Sequence, residues 1–174
     1  MKDFRDYLKP EEIEKILDNT KNPRDYLIMR LLWRTGMRVS ELVNMEVNWI
    51  DFEERMLNIL GKGNKWRRVP IDRDSVMLLQ NYLKNKDIKA GRCFDITRQR
   101  VFQIVKAIAK NVAIEKPIHP HTLRHSYAVN YIKKGGNLRN LQLNLGHTKL
   151  DTTAIYLQVT ALDRKEEYDK IMVE

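Results

Sequence analysis

The sequence predicts a mostly helical α+β domain with one small β-hairpin or sheet. Three observations lead there. Apolar residues recur at three- and four-residue spacing through most of the chain. Strand character is confined to residues 56–71, as two short runs on either side of Gly61-Lys62-Gly63-Asn64-Lys65. The chain has 174 residues, of which 43% are hydrophobic and 32% charged, enough for one core and too apolar for a disordered chain. There are no internal repeats, low-complexity tracts or linkers.

The elements follow in order. Ile13, Ile16 and Leu17 have helical spacing after the acidic turn at Glu11 and Glu12, and Pro23 restarts the pattern. Residues 26–33 are almost wholly apolar, a core helix ended by Gly36. Val39, Leu42 and Val43 mark a short helix starting near Arg38. Residues 56–60 and 66–71 are strands, and the two glycines and asparagine between them make a hairpin turn. Val76, Leu79 and Leu83 share one helical face. Val101, Ile104, Val105 and Ile108 form the next stripe, with Thr97 as its N-cap. Pro117 and Pro120 interrupt the pattern, and a helix from about Thr122 runs to Gly135-Gly136. Another runs from Asn137 to Gly146. Residues 152–159 read as a further short helix, and 163–172 as a charged terminal one.

Composition narrows the function. No apolar run approaches the roughly 20 residues of a membrane span, and the first dozen residues are too charged for a signal peptide. Cys93 is the single cysteine, which excludes a disulfide framework and a cysteine-ligated zinc site and points to a reducing cytoplasm. The net charge is +9, and it is concentrated. Residues 1–60 sum to −2, residues 111–174 to +2, and residues 61–110 carry the whole excess of +9. A basic segment of this kind is the footprint of a polyanion, DNA or RNA first, against the alternative of a solvated basic face.

Three segments carry candidate chemistry. Arg38 follows the glycine break in Thr35-Gly36-Met37-Arg38, a spot that favours a phosphate if it is not merely a surface arginine. Lys62 and Lys65 stand in the hairpin turn ahead of Trp66-Arg67-Arg68, where a lysine can act as point charge and proton donor or remain a solvated turn residue. The third is His119-Pro120-His121-Thr122-Leu123-Arg124-His125. It lacks an acidic residue and holds an arginine that would repel a cation, so it suits an anion better than a metal. His121 and Arg124 share a helical face. His147 follows Gly146, and Tyr156 lies nine residues on. One lysine, two arginines, two histidines and a tyrosine are what metal-free phosphoryl transfer needs: cations, a proton donor and a nucleophile.

The segments TGMRVSEL, GKGNKWRRVP, HPHTLRHSYA and LGHTKLDTTAIYLQV resemble, in order and spacing, the catalytic domain of the tyrosine recombinases, the phage-integrase and Xer-type family. The resemblance runs from Thr35 to Val159 and implies that family's catalytic-domain fold. It implies Arg38 and Arg124 as the catalytic arginines, Lys62 as the catalytic lysine, His121 and His147 as the two histidines, and Tyr156 as nucleophile. The Tyr156 hydroxyl would attack a scissile phosphate of double-stranded DNA, giving a 3′-phosphotyrosine and a free 5′-hydroxyl, with neither metal, ATP nor any other cofactor. Lys65, Arg67, Arg68, Arg98 and Arg100 are candidate DNA-backbone contacts.

Family members usually carry a helical N-terminal domain that clamps the far face of the DNA. Here the matching pattern starts almost at once, so residues 1–174 are expected to be a single catalytic domain without that core-binding domain. The family implies a tetramer on DNA, and an isolated domain is expected to be a monomer. Two alternatives stand beside the recombinase: a DNA-binding module or regulator that cleaves little, and a nicking-and-resealing enzyme of the type IB topoisomerase kind.

Overall fold

The computed structural model describes residues 7–61 and 63–147 and, beyond them, Tyr156, Tyr168 and Met172. Helix α1 (Pro10–Asp18) buries Ile13, Ile16 and Leu17, the face its spacing predicts. Helix α2 (Pro23–Thr35) starts where the Asn22 side chain accepts the N–H groups of Arg24 and Asp25 and Pro23 takes the first helical position. It is buried along nearly its whole length, including Arg30. That arginine is tolerated inside because its guanidinium donates to Asp72 at 2.7 Å and Ser75 at 2.9 Å. Asp72 in turn caps helix α4 (Arg73–Asn85), so one buried cation fastens two helices.

Helix α3 (Val39–Val43) is a single short turn after Arg38, and a 3-10 turn at Val47–Trp49 leads into the sheet. The expected hairpin is β2 (Met56–Leu60) and β3 (Trp66–Pro70), antiparallel, with Ile59 opposite Arg67 and Leu60 opposite Trp66. A third strand, β1 (Ile50–Asp51), pairs with β2 to make a three-stranded sheet. Its two residues are too short for any period to register in sequence. At the turn, Gly63 and Asn64 have φ of 74° and 59°, the left-handed backbone for which those residue types are suited.

Helix α5 (Arg98–Asn111) begins with the Thr97 hydroxyl accepting the Arg100 N–H at 3.2 Å, as expected. Helix α6 (Pro120–Lys133) begins two residues earlier than the sequence suggested. Pro120 starts it rather than breaking it, because an N1 proline forfeits only a donor that has no helical partner. Helix α7 (Leu138–Leu145) follows, capped by Asn137 at its start and Gly146 at its end.

Helices α2 and α6 pack together at the centre, with the sheet resting on α7. The chain ahead of α1 is stapled to α6: the Leu8 N–H donates to Ser126 Oγ at 2.7 Å, and Asn130 Nδ2 donates to the Leu8 carbonyl at 3.0 Å. The expected helices over 152–159 and 163–172 lie outside the described residues, except for Tyr156, Tyr168 and Met172. Among the described residues no helix is long and apolar enough to cross a membrane.

Candidate active site

The site is built where two chain reversals, at Gly36 and Gly146, meet α6. Helix α2 ends at Gly36, whose φ of 63° turns its carbonyl towards α6. A Cβ here would lie 2.3 Å from Tyr127 Cδ1, so glycine is required by space as well as by dihedral. The Gly36 carbonyl accepts Arg124 Nη1 at 2.5 Å. Arg124 Nη2 donates to the Leu145 carbonyl at 2.8 Å and lies 3.1 Å from His147 Nε2. Arginine has no acceptor, so His147 Nε2 accepts and the imidazole proton sits on Nδ1. Gly146, with φ of 64°, reverses the chain after α7 and brings His147 back to this spot.

Burial and neighbouring cations define the charge state. Arg124 is 8% exposed. Its burial, with Arg38 close by, lowers its pKa to about 10, so it is still charged at neutral pH. Burial, then Arg124, Arg38 and Arg67, push His147 down to about 4, so its ring is neutral without an anion.

Arg38 is the residue before α3, and Glu41 one turn later holds it. Glu41 accepts the Arg38 backbone N–H at 2.7 Å and Arg38 Nη1 at 2.9 Å. The same carboxylate takes Arg67 in a two-pronged pair, Nη1 at 2.9 Å and Nη2 at 2.7 Å. Burial would raise the Glu41 carboxyl, but Arg67 and the Arg38 N–H outweigh it and hold its pKa below the ordinary value. Two guanidiniums therefore share one carboxylate, with a third, Arg124, within its field, and the surplus positive charge makes this an anion site.

Tyr156 is buried in a small cluster with Ala128, Val129, Leu141 and Leu145. Its ring lies 5.3 Å from that of His125. Burial raises the phenol pKa and the charge of Arg124 partly offsets this, so the hydroxyl stays protonated at rest. His121, the exposed residue in the otherwise buried first turn of α6, lines an open cleft of about 560 Å³ together with Arg38, Ser40, Thr97, Arg98 and Phe102.

Of the expected set, Arg124 and His147 are in direct contact, Arg38 acts on both through its charge, Tyr156 lies within the field of Arg124, and His121 faces the Arg38 cleft. Lys62 lies outside the described residues. Lys65, Arg98 and Arg100 are exposed, and Arg68 is exposed with an ion pair to Asp51 at 3.3 Å. Arg67 differs from the expectation of a backbone contact: its side chain is only 11% exposed and is turned inward onto Glu41. Glu41 was missed, though an acid three residues after Arg38, at the start of a short apolar helix, is a legible capping signal. The Gly36 and Leu145 carbonyls carry no sequence signal at all.

Fold and site together define a helical domain with a buried cationic cluster beside a tyrosine. Residues 6–162 match the phage integrase family, and the chain belongs to it. A tyrosine recombinase of Pseudothermotoga lettingae is 39% identical over 97% of this chain and 62% of its own length. The crystal structure of XerA recombinase superposes with a TM-score of 0.84 at 28% identity, covering 97% of this chain and 65% of that one. XerH bound to its difH substrate in a pre-cleavage complex gives 0.79 at 26% identity, over 89% of this chain and 51% of that one. The chain thus spans less than two thirds of the length of each of these three proteins.

Proposed function

We propose that this chain is the catalytic domain of a site-specific DNA recombinase that cuts and rejoins strands through Tyr156. The observation that carries the reading is Arg124, bound to Gly36, Leu145 and His147, beside both Arg38 and the buried tyrosine. A phosphodiester has one negative charge, and its attacked form gains a second; a preformed cationic cluster stabilises the second more than the first.

In the step, Tyr156 Oη bonds to the scissile phosphorus and the bond from phosphorus to the 5′-oxygen breaks. The phenolic proton passes to His121, and Lys62 protonates the departing 5′-oxygen. Arg38 and Arg124 neutralise the non-bridging oxygens, with His147 Nδ1–H as a further donor. Because the phosphotyrosine keeps the phosphodiester's energy, a 5′-hydroxyl from another strand can reverse the step without ATP or metal. Lys65, Arg68, Arg98 and Arg100 contact the duplex backbone.

A DNA substrate is supported by the similarity to XerH, a site-specific recombinase whose structure holds its difH substrate before cleavage. The reading extends to a tetramer on DNA, a monomer without it, and a reducing cytoplasm in which Cys93 stays a buried thiol. The test is covalent trapping. The protein is incubated without metal with supercoiled plasmid and nicked suicide duplexes, and denaturing gels are run beside Tyr156→Phe. A protein–DNA adduct that disappears in Tyr156→Phe is the expected result. DNA binding without any adduct would instead favour a regulator that keeps the fold.

A further inference from the structure

We infer that Arg67 is a positioning residue of this active site, whose task is to neutralise Glu41 so that the charge of Arg38 stays free for the phosphate. The inference rests on the strand-transfer reading above and assigns Arg67 no contact with DNA.

The argument is one of charge balance. The Glu41 carboxylate is 5% exposed and is shared by two guanidiniums. Arg67 takes both oxygens in the bidentate geometry that best matches a carboxylate. Its third nitrogen, Nε, donates to the Asn144 carbonyl at 2.8 Å, so all three are engaged by protein. Arg38 gives Glu41 its backbone N–H and one side-chain nitrogen, and its side chain is 34% exposed, facing the cleft that His121 also lines. The two arginines thus divide the work. The inner one satisfies the carboxylate, and the outer one is oriented by it while remaining a surplus cation. Without Arg67, Arg38 would be left alone with a buried carboxylate, and the pair would hold no net charge for an incoming phosphate.

A second observation points the same way. A Cβ on Gly61 would meet Arg67 Nη1 at 3.2 Å, and one on Gly146 would meet Arg67 Cδ at 3.0 Å. Two chain reversals, one at the hairpin and one after α7, are kept clear of side chains where this arginine passes. It therefore also ties β3 to α7, next to the carbonyl and imidazole that hold Arg124.

The experiment measures single-turnover cleavage on duplexes taken from the trapped adducts, with duplex affinity and thermal midpoint recorded for each variant. Arg67→Gln is expected to slow cleavage by about 10–100-fold, the scale of a displaced catalytic group, while binding DNA almost as before. Adding Glu41→Gln to Arg67→Gln removes the unpaired carboxylate and is expected to recover most of that loss, a coupling that simple loss of packing would not give. Arg67→Gln that cleaves normally, or a double variant no faster than Arg67→Gln, overturns the assignment. Should Arg67→Gln fail to fold, the double variant carries the test: cleavage within roughly tenfold of the unsubstituted protein supports the inference, and a larger loss overturns it. Tyr156→Phe run alongside separates the two readings. An adduct that persists in it defeats the strand-transfer proposal, whereas one that vanishes while Arg67→Gln cleaves normally defeats only this inference.

Discussion

Arg124 makes two claims at once, one on stability and one on chemistry. Its fork satisfies two main-chain carbonyls, Gly36 and Leu145, that its loss would leave without this donor in a buried setting. Arg124→Ala should therefore lower stability by about 1–3 kcal/mol per orphaned group, read by denaturant titration, as well as abolish the adduct. Arg124→Lys keeps the charge but cannot span both carbonyls and His147, so it should recover stability better than cleavage. His147 gives a prediction in pH. Its folded pKa of about 4 lies below the unfolded value of 6.5, so between these limits the unfolded chain binds a proton that the folded one refuses. Stability should accordingly be fully present above pH 6.5 and fall as the pH drops towards 4. Glu41 and Asp72, lowered from 4.5 and 3.8, add their losses only below about those values. Between 4.5 and 6.5 the His147 contribution therefore falls before those carboxylates add theirs. His147→Gln should flatten the thermal midpoint against pH there, and an unchanged slope would assign the effect elsewhere.

At the scale of elements, the site is held by chain reversals, and two glycines separate the causes. Gly36 and Gly63 have similar left-handed dihedrals, with φ of 63° and 74°. A Cβ at Gly36 strikes Tyr127 at 2.3 Å, whereas one at Gly63 meets nothing within 4 Å. Gly63→Ala should thus cost only dihedral strain, roughly 1–2 kcal/mol. Gly36→Ala adds overpacking of about 1–3 kcal/mol and displaces the carbonyl that Arg124 needs, so it should lose cleavage as well. Calorimetry and the trapping assay on the pair test this. The same elements mark how far sequence reasoning reaches. The stripes at Ile13, Ile16 and Leu17 and at Val101, Ile104, Val105 and Ile108 placed two helices because amphipathic spacing records a one-sided core. Strand β1 left no such record, and α6 starts at Pro120 because a proline that ends one pattern can equally begin the next.

For the whole molecule the governing quantity is charge. The excess lies in residues 61–110, and exposed Lys65, Arg68, Arg98 and Arg100 are part of it. Duplex affinity should fall linearly in log–log form with salt, with a slope near −0.9 for each phosphate neutralised. Replacing Arg98 and Arg100 with glutamine should flatten that slope by about 1 apiece if each holds a phosphate. Arg67→Gln should leave it unchanged, because that side chain is turned to Glu41. Titrations by fluorescence anisotropy at several salt concentrations distinguish the three.

Sequence alone determined the fold class, the hairpin, the basic middle and the family, because each is written in spacing or in residue type along the chain. It also named Arg38, Lys62, His121, Arg124, His147 and Tyr156, since a motif lists the groups a reaction needs. Which of those groups are charged, and which are held, was decided only by the tertiary structure. The neutral ring of His147, the buried guanidinium of Arg124 and the inward turn of Arg67 all arise from residues far apart in the chain. Glu41 meets Arg67 across 26 positions, and Gly36 meets Arg124 across 88. Solvent exclusion and through-space charge act on distance in the fold, and no local pattern encodes that distance.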